Sequence, residues 1–175
     1  MDADNGSESE FLAKSAVSSL LGKATELLVA SSCILSSRGR LSVSTTLVDD
    51  DGVDLVFHLR GRTATLAVQV KSRMDDGASF AKGRFQATVR SQTFRARDNL
   101  ALVFVPVELG DGSFRTAWLV PSRDFHRLAS FDSLKRLRFV AATSPISKDK
   151  WAQYRVTRSE LAVKIEETLN ALETD

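Results

Sequence analysis

Across residues 11–35, apolar side chains return at Ala13, Val17, Leu20, Ala24, Leu27 and Leu28, the three-to-four spacing of a helix face. The run ends at "SSRGR", where Gly39 marks the stop. From Leu41 the period changes to two. Leu41, Val43, Thr45 and Leu47 alternate with polar partners, as in a half-buried strand. "DDDG" marks a turn. Residues 53–59 and 64–71 then read as two strands of a hairpin closed by "RGR". "SRMDDGASFAKG" reads as a mobile loop and "RFQATVRSQTFRARDN" as a second helix. "LALVFVPVEL" is a nearly continuous apolar run, which predicts a strand buried on both faces. "FRTAWLV" predicts another strand, "PSRDFHRLAS" a short helix and "RLRFVAA" a late strand. The last helix opens at Thr157 with Glu160 three positions on, a capping box. Helix, three strands, helix, strands, helix is the order of an α/β domain with a mixed sheet.

Composition narrows the class. The 175 residues are 43% hydrophobic and 26% charged, as in one globular domain. Residues 1–10 carry four acids and no base, which predicts a disordered acidic tail ahead of a single domain over 11–175. That start does not read as a signal peptide. No uninterrupted apolar run approaches the ~18 residues of a membrane span. One cysteine, Cys33, excludes an internal disulfide and a multi-cysteine zinc site, so a cytoplasmic protein is expected. Residues 58–97 hold nine Lys or Arg against Asp75 and Asp76, a local charge of +7. Such a concentration suits a polyanion or serves as a solvated face.

Polar residues inside the strands carry the candidate chemistry. Strand side chains alternate between faces. In a simple hairpin register, Asp54 falls on the sheet face of Gln69 and Lys71, roughly opposite Gln69. A carboxylate there must be paired or bind a metal. Gly52 just before it permits close backbone approach. Glu26 is the only acid between Glu10 and Asp49, and it borders the helix's apolar stripe beside the small residues Ser19, Gly22 and Ala30. Read singly, Asp54 and Lys71 also fit a structural ion pair, Glu26 an ordinary helix acid, and His58 a structural histidine.

Together, Glu26 in the first helix, "GVD" ending at Asp54 and "QVK" over residues 69–71 resemble the PD-(D/E)xK nuclease superfamily. With glutamine in place of the first motif-three acid, they resemble its Mrr-type restriction endonuclease branch. The resemblance covers residues 11–107 and implies a restriction-endonuclease-like core: helix, three-strand meander, helix, strand, with C-terminal additions. It implies Asp54 as the main Mg²⁺ ligand, with Mn²⁺ as a substitute. Gln69 through its side-chain oxygen, the Val70 carbonyl and Glu26 would complete the metal's surroundings. Lys71 would activate the attacking water and stabilise charge on the phosphorus centre. Mg²⁺ chemistry agrees, since the ion takes one or two carboxylates plus substrate phosphate. The departure is Gln69, whose neutrality removes one negative charge and lowers the metal affinity expected.

The implied function is a Mg²⁺-dependent DNA endonuclease of host defence or repair. The alternative is a non-catalytic nuclease-fold module that binds nucleic acid or a protein. Arg73, Lys82, Arg84, Arg90, Arg95 and Arg97 follow the motif and are expected to contact phosphates without reading bases. A lone domain of this size is expected to act as a homodimer or within a larger defence or repair complex.

Overall fold

The computed structural model describes residues 5–46 and 52–174, with side chains from residue 16 onward. It is a mixed α/β fold of three layers. The chain runs through helix α1 (Asn5–Ser36) and strands β1 (Leu41–Thr45), β2 (Leu55–Leu59) and β3 (Thr65–Met74). A four-residue helix α2 (Ala78–Ala81) leads into β4 (Arg84–Val89), β5 (Leu100–Val107) and β6 (Thr116–Pro121). Helix α3 (Ser122–Leu128), β7 (Ser130–Phe131), β8 (Leu137–Ala142), β9 (Arg155–Thr157) and α4 (Arg158–Thr174) complete it. Among the described residues, six strands form one mixed sheet in the order β1-β2-β3-β5-β6-β9, in which β3 and β5 pair in parallel and the other neighbours antiparallel. Strands β4, β8 and β7 form a second, antiparallel sheet.

The large sheet is buried on both faces. Leu55, Phe57, Leu66 and Val68 pack beneath Val29 and Cys33 of α1 and Leu161 and Ile165 of α4. On the other face, Ala67, Leu102, Phe104 and Trp118 pack against Phe85, Phe139 and Trp151. There the Phe104 and Phe139 rings stack with centroids 3.8 Å apart. Strand β5 feeds both cores, Val103 and Val105 on the helical side and Leu102 and Phe104 on the other, as its unbroken apolar run requires.

Several boundaries differ from the sequence expectation. Helix α1 begins at Asn5 rather than Phe11. Residues 1–4 of the expected tail, residues 47–48 of the first strand and residues 49–51 of the "DDDG" turn lie outside the described residues. Strand β3 runs on to Met74, so the expected mobile loop is shortened and contains α2. The expected second helix is a strand. Phe85, Ala87 and Val89 alternate with Gln86 and Thr88, and the alternating apolar set is buried against β8. A period of two satisfies that burial, whereas a helix would scatter the three around its axis.

Helix α1 stops where "SSRGR" leaves the helical conformation, with Arg38 at φ +53° and Gly39 at φ +76°. The Gly39 N–H closes back on the Ile34 carbonyl at 2.9 Å. The segment Ala16–Ser36 is long and apolar enough, by length and composition, to cross a membrane. One side of it packs in the core through Val29, Ala30 and Cys33. Its outer side leaves Leu20 71% and Leu27 53% exposed.

Candidate active site

The hairpin register places Leu55 opposite Val68 and Phe57 opposite Leu66. Continued regularly, it would put Asp54 opposite Gln69. The strand departs from regularity there. The Asp54 N–H bonds the Val68 carbonyl at 3.0 Å, so Asp54 and Leu55 both address Val68 in the manner of a β-bulge. Val53, next before it, belongs to the core beneath the second sheet. The bulge turns Asp54 toward α1. Its Oδ2 accepts a 2.6 Å hydrogen bond from the Val70 N–H. A carboxylate held by a backbone amide is fixed in position.

Asp54, Val70, Lys71 and Arg73 form one wall of a cleft of about 400 Å³, and Ser18, Ser19, Gly22 and Glu26 of α1 form the other. The small residues flanking Glu26 do open space, since a side chain at Gly22 would meet nothing within 4 Å. Glu26 is 15% exposed and accepts from Lys23 Nζ at 2.6 Å. Lys23 was absent from the sequence-derived site, although its i,i+3 spacing from Glu26 was a readable signal. Lys71 is half-buried and makes no ion pair or hydrogen bond among the described residues. A structural Asp54–Lys71 ion pair is therefore not what places the lysine.

Gln69 is not in the wall of this cleft. Its side-chain amide lies against Gly52, where a Cβ would fall 2.4 Å from Nε2. Gly52 also has φ +69°, so both conformation and close contact require glycine. The close approach expected at Gly52 is thus made by Gln69. His58 sits on β2 beside Ser42 and Thr65, and the cleft does not include it.

The basic residues divide between two regions. Arg73 lines the cleft, and together with Arg84 it borders an adjoining hollow near α2, where Lys82 ends that helix. Arg90, Arg95 and Arg97 lie past the other end of β4, about 20 Å of strand away from Arg84. There the backbone of Arg97 is tied to Ser122 at 2.8 and 2.7 Å. Because β4 is a strand, the cluster seen in sequence is spread along the molecule. Cys33 is buried, and burial pushes its thiol pKa up to about 12, which removes it as a nucleophile.

The donor set suits a hard cation completed by its substrate. It offers two carboxylates, Glu26 and Asp54, and a backbone carbonyl at Val70. Among the described residues no three His, Cys, Asp or Glu cluster as a closed metal cage. Mg²⁺ fits such an open arrangement, because it retains waters and takes phosphate oxygens.

No family model and no curated protein matches this chain. Among solved structures, it is similar to a bacterial homing endonuclease, I-Ssp6803I, with a TM-score of 0.51. The match covers 84% of this chain and 94% of that one, at 18% sequence identity. The fold is nuclease-like. At that identity the likeness concerns backbone architecture, and it reaches beyond residues 11–107 to most of the C-terminal third.

Proposed function

We propose that this protein is a divalent-metal-dependent endonuclease that hydrolyses DNA phosphodiester bonds in the cleft between α1 and the β2–β3 hairpin. One observation carries the reading: a carboxylate fixed by the Val70 amide shares a cleft with Glu26 and with Lys71, which has no ion-pair partner among the described residues. Asp54 and Glu26 would hold Mg²⁺ or Mn²⁺. The Val70 N–H points to the β2 side, and in a strand the carbonyl of the same residue points to that side too. There β2 pairs with β3 no further than Leu55 and Val68, which leaves the Val70 carbonyl available. When bound, the metal supplies a more acidic water and neutralises phosphate charge. Lys71 holds its ammonium beside the scissile phosphate, where charge grows in the transition state. Arg73 grips a neighbouring phosphate. Gln69, expected as a ligand, is assigned instead to positioning the Gly52–Asp54 segment.

A second reading is a nuclease-fold module that binds DNA or a protein without cutting. Its support is the site's low acid count among the described residues, two carboxylates, with the Gln69 amide set against Gly52. Supercoiled plasmid incubated with Mg²⁺ or Mn²⁺ separates the two. Nicked or linear product supports the endonuclease, and binding without product under either metal supports the module.

Action as a homodimer in the cytoplasm belongs to the proposal. The exposed positions Val17, Leu20, Ala24, Leu27, Ser31 and Ile34 of α1 alternate three and four apart, the spacing of a coiled-coil seam. A second copy related by a two-fold axis presents the same stripe.

A further inference from the structure

Two Arg-Gly-Arg turns, at residues 38–40 and 60–62, come from unrelated parts of the chain and meet at one end of the large sheet. The pairing of Leu41 with Leu59 sets them side by side, and the Arg60 N–H donates to the Arg40 carbonyl at 3.0 Å. All four arginines border an open, shallow hollow of about 510 Å³. Both glycines have positive φ, +76° and +79°, and a side chain at either would meet nothing within 4 Å. The turns are tight and their surface is open.

The charge balance favours an anion. Glu166 clamps Arg40 through Nε and Nη2, both at 3.2 Å. Glu173 is engaged by the amides of Thr63 and Ala64 and lies within the field of Arg62. Among the described residues, four guanidiniums against these two carboxylates leave two positive charges in excess. The C-terminal ends of α1 and α4 lie here as well, and cations complement their dipoles. Dipole complementation does not account for Arg38. It holds φ +53° at a helix terminus, where glycine or asparagine is the unstrained choice. A residue held in a disfavoured conformation points toward a use for its side chain. Planar guanidinium forks match phosphate oxygens, and the open hollow is lined mainly by charged and polar side chains.

We propose that the paired Arg-Gly-Arg turns are a second phosphate-binding site that holds the DNA backbone at a distance from the cleft. This rests on the endonuclease reading. Glu26 and Arg38 lie on the same helix, which spaces cleft and turns about 18 Å apart. Duplex DNA advances about 3.4 Å per base pair on each strand, so the turns would meet phosphates roughly five base pairs from the cut. Contacts there tighten substrate binding without touching the reacting group.

The test uses the full chain and a fluorescent 30-base-pair duplex without divalent metal, with anisotropy measured across a salt series. The variant is Arg38→Gly/Arg60→Ala/Arg62→Ala. Arg40 is retained because it is tied to Glu166, and glycine at 38 relieves the positive φ. Each phosphate contact contributes about 0.9 to the slope of log K against log salt. The variant should therefore lose about 2–3 units of slope and bind many duplex sequences more weakly alike. Should its thermal melt show loss of folding, Arg60→Gln/Arg62→Gln in the exposed hairpin turn replaces it, with a loss of about 2 units expected. A wild-type slope and affinity in the folded variant would overturn the proposal while leaving the endonuclease reading intact. A wild type that binds no duplex at low salt would overturn both.

Discussion

At the scale of single residues, Gly52, Asp54 and Gln69 depend on one another. The bulge that turns Asp54 toward α1 follows a glycine at positive φ, and the Gln69 amide occupies the space a side chain there would need. Gly52→Ala should therefore destabilise the fold by about 1–3 kcal/mol, measured by urea unfolding. Gln69→Ala in the Gly52→Ala background should recover part of the loss, because it removes the atom nearest the new Cβ. Additive losses in the double variant would mean that backbone strain alone is responsible. That Glu26, Asp54 and Lys71 come together in one cleft was legible in the sequence, because charged residues in an apolar helix and hairpin need a reason to be there. The direction of Gln69 was not legible. Strict alternation puts Asp54 and Gln69 on one face, and a single extra residue opposite Val68 breaks that alternation without any mark in the composition.

At the scale of elements, local rules held where the signal was local. Thr157 and Glu160 form the reciprocal cap read from their spacing. The Thr157 N–H donates to Glu160 Oε2 at 2.8 Å, and the Glu160 N–H returns to Thr157 Oγ1 at 3.3 Å. Thr157→Ala should cost about 1 kcal/mol in thermal or urea unfolding. No change would mean that water or Ser159 replaces the cap. The helix α1, the hairpin, β5, β6, α3 and β8 were likewise legible in their periods. The sequence of strand β4 reads as helix because its polar flanks dilute a short alternation. The burial that makes it a strand comes from β8, some fifty residues later, and no local window contains that partner. The same distance effect hid the second sheet, and with it the division of the basic residues between two regions.

At the scale of the whole molecule, a helix with two apolar sides needs two partners. Core residues of this chain cover the Val29–Cys33 side of α1, and the Leu20–Leu27 side is proposed to meet a second copy. Light scattering should give a dimer mass that falls to monomer in Leu20→Glu/Leu27→Glu; a monomeric wild type at high concentration would refute the pairing. The central claim concerns what the cleft does, and single-turnover cleavage of supercoiled plasmid by wild type, Asp54→Ala and Lys71→Ala tests it most directly. Wild type should cut with Mg²⁺ or Mn²⁺ and not in chelator. Asp54→Ala should lose cleavage together with metal binding followed by calorimetry. Lys71→Ala should keep metal and DNA affinity while its chemical rate falls by ~10²–10³-fold, the effect of removing one electrostatic stabiliser. Cleavage by Lys71→Ala at the wild-type rate, or wild type that binds DNA and cuts under no divalent metal, would contradict the account.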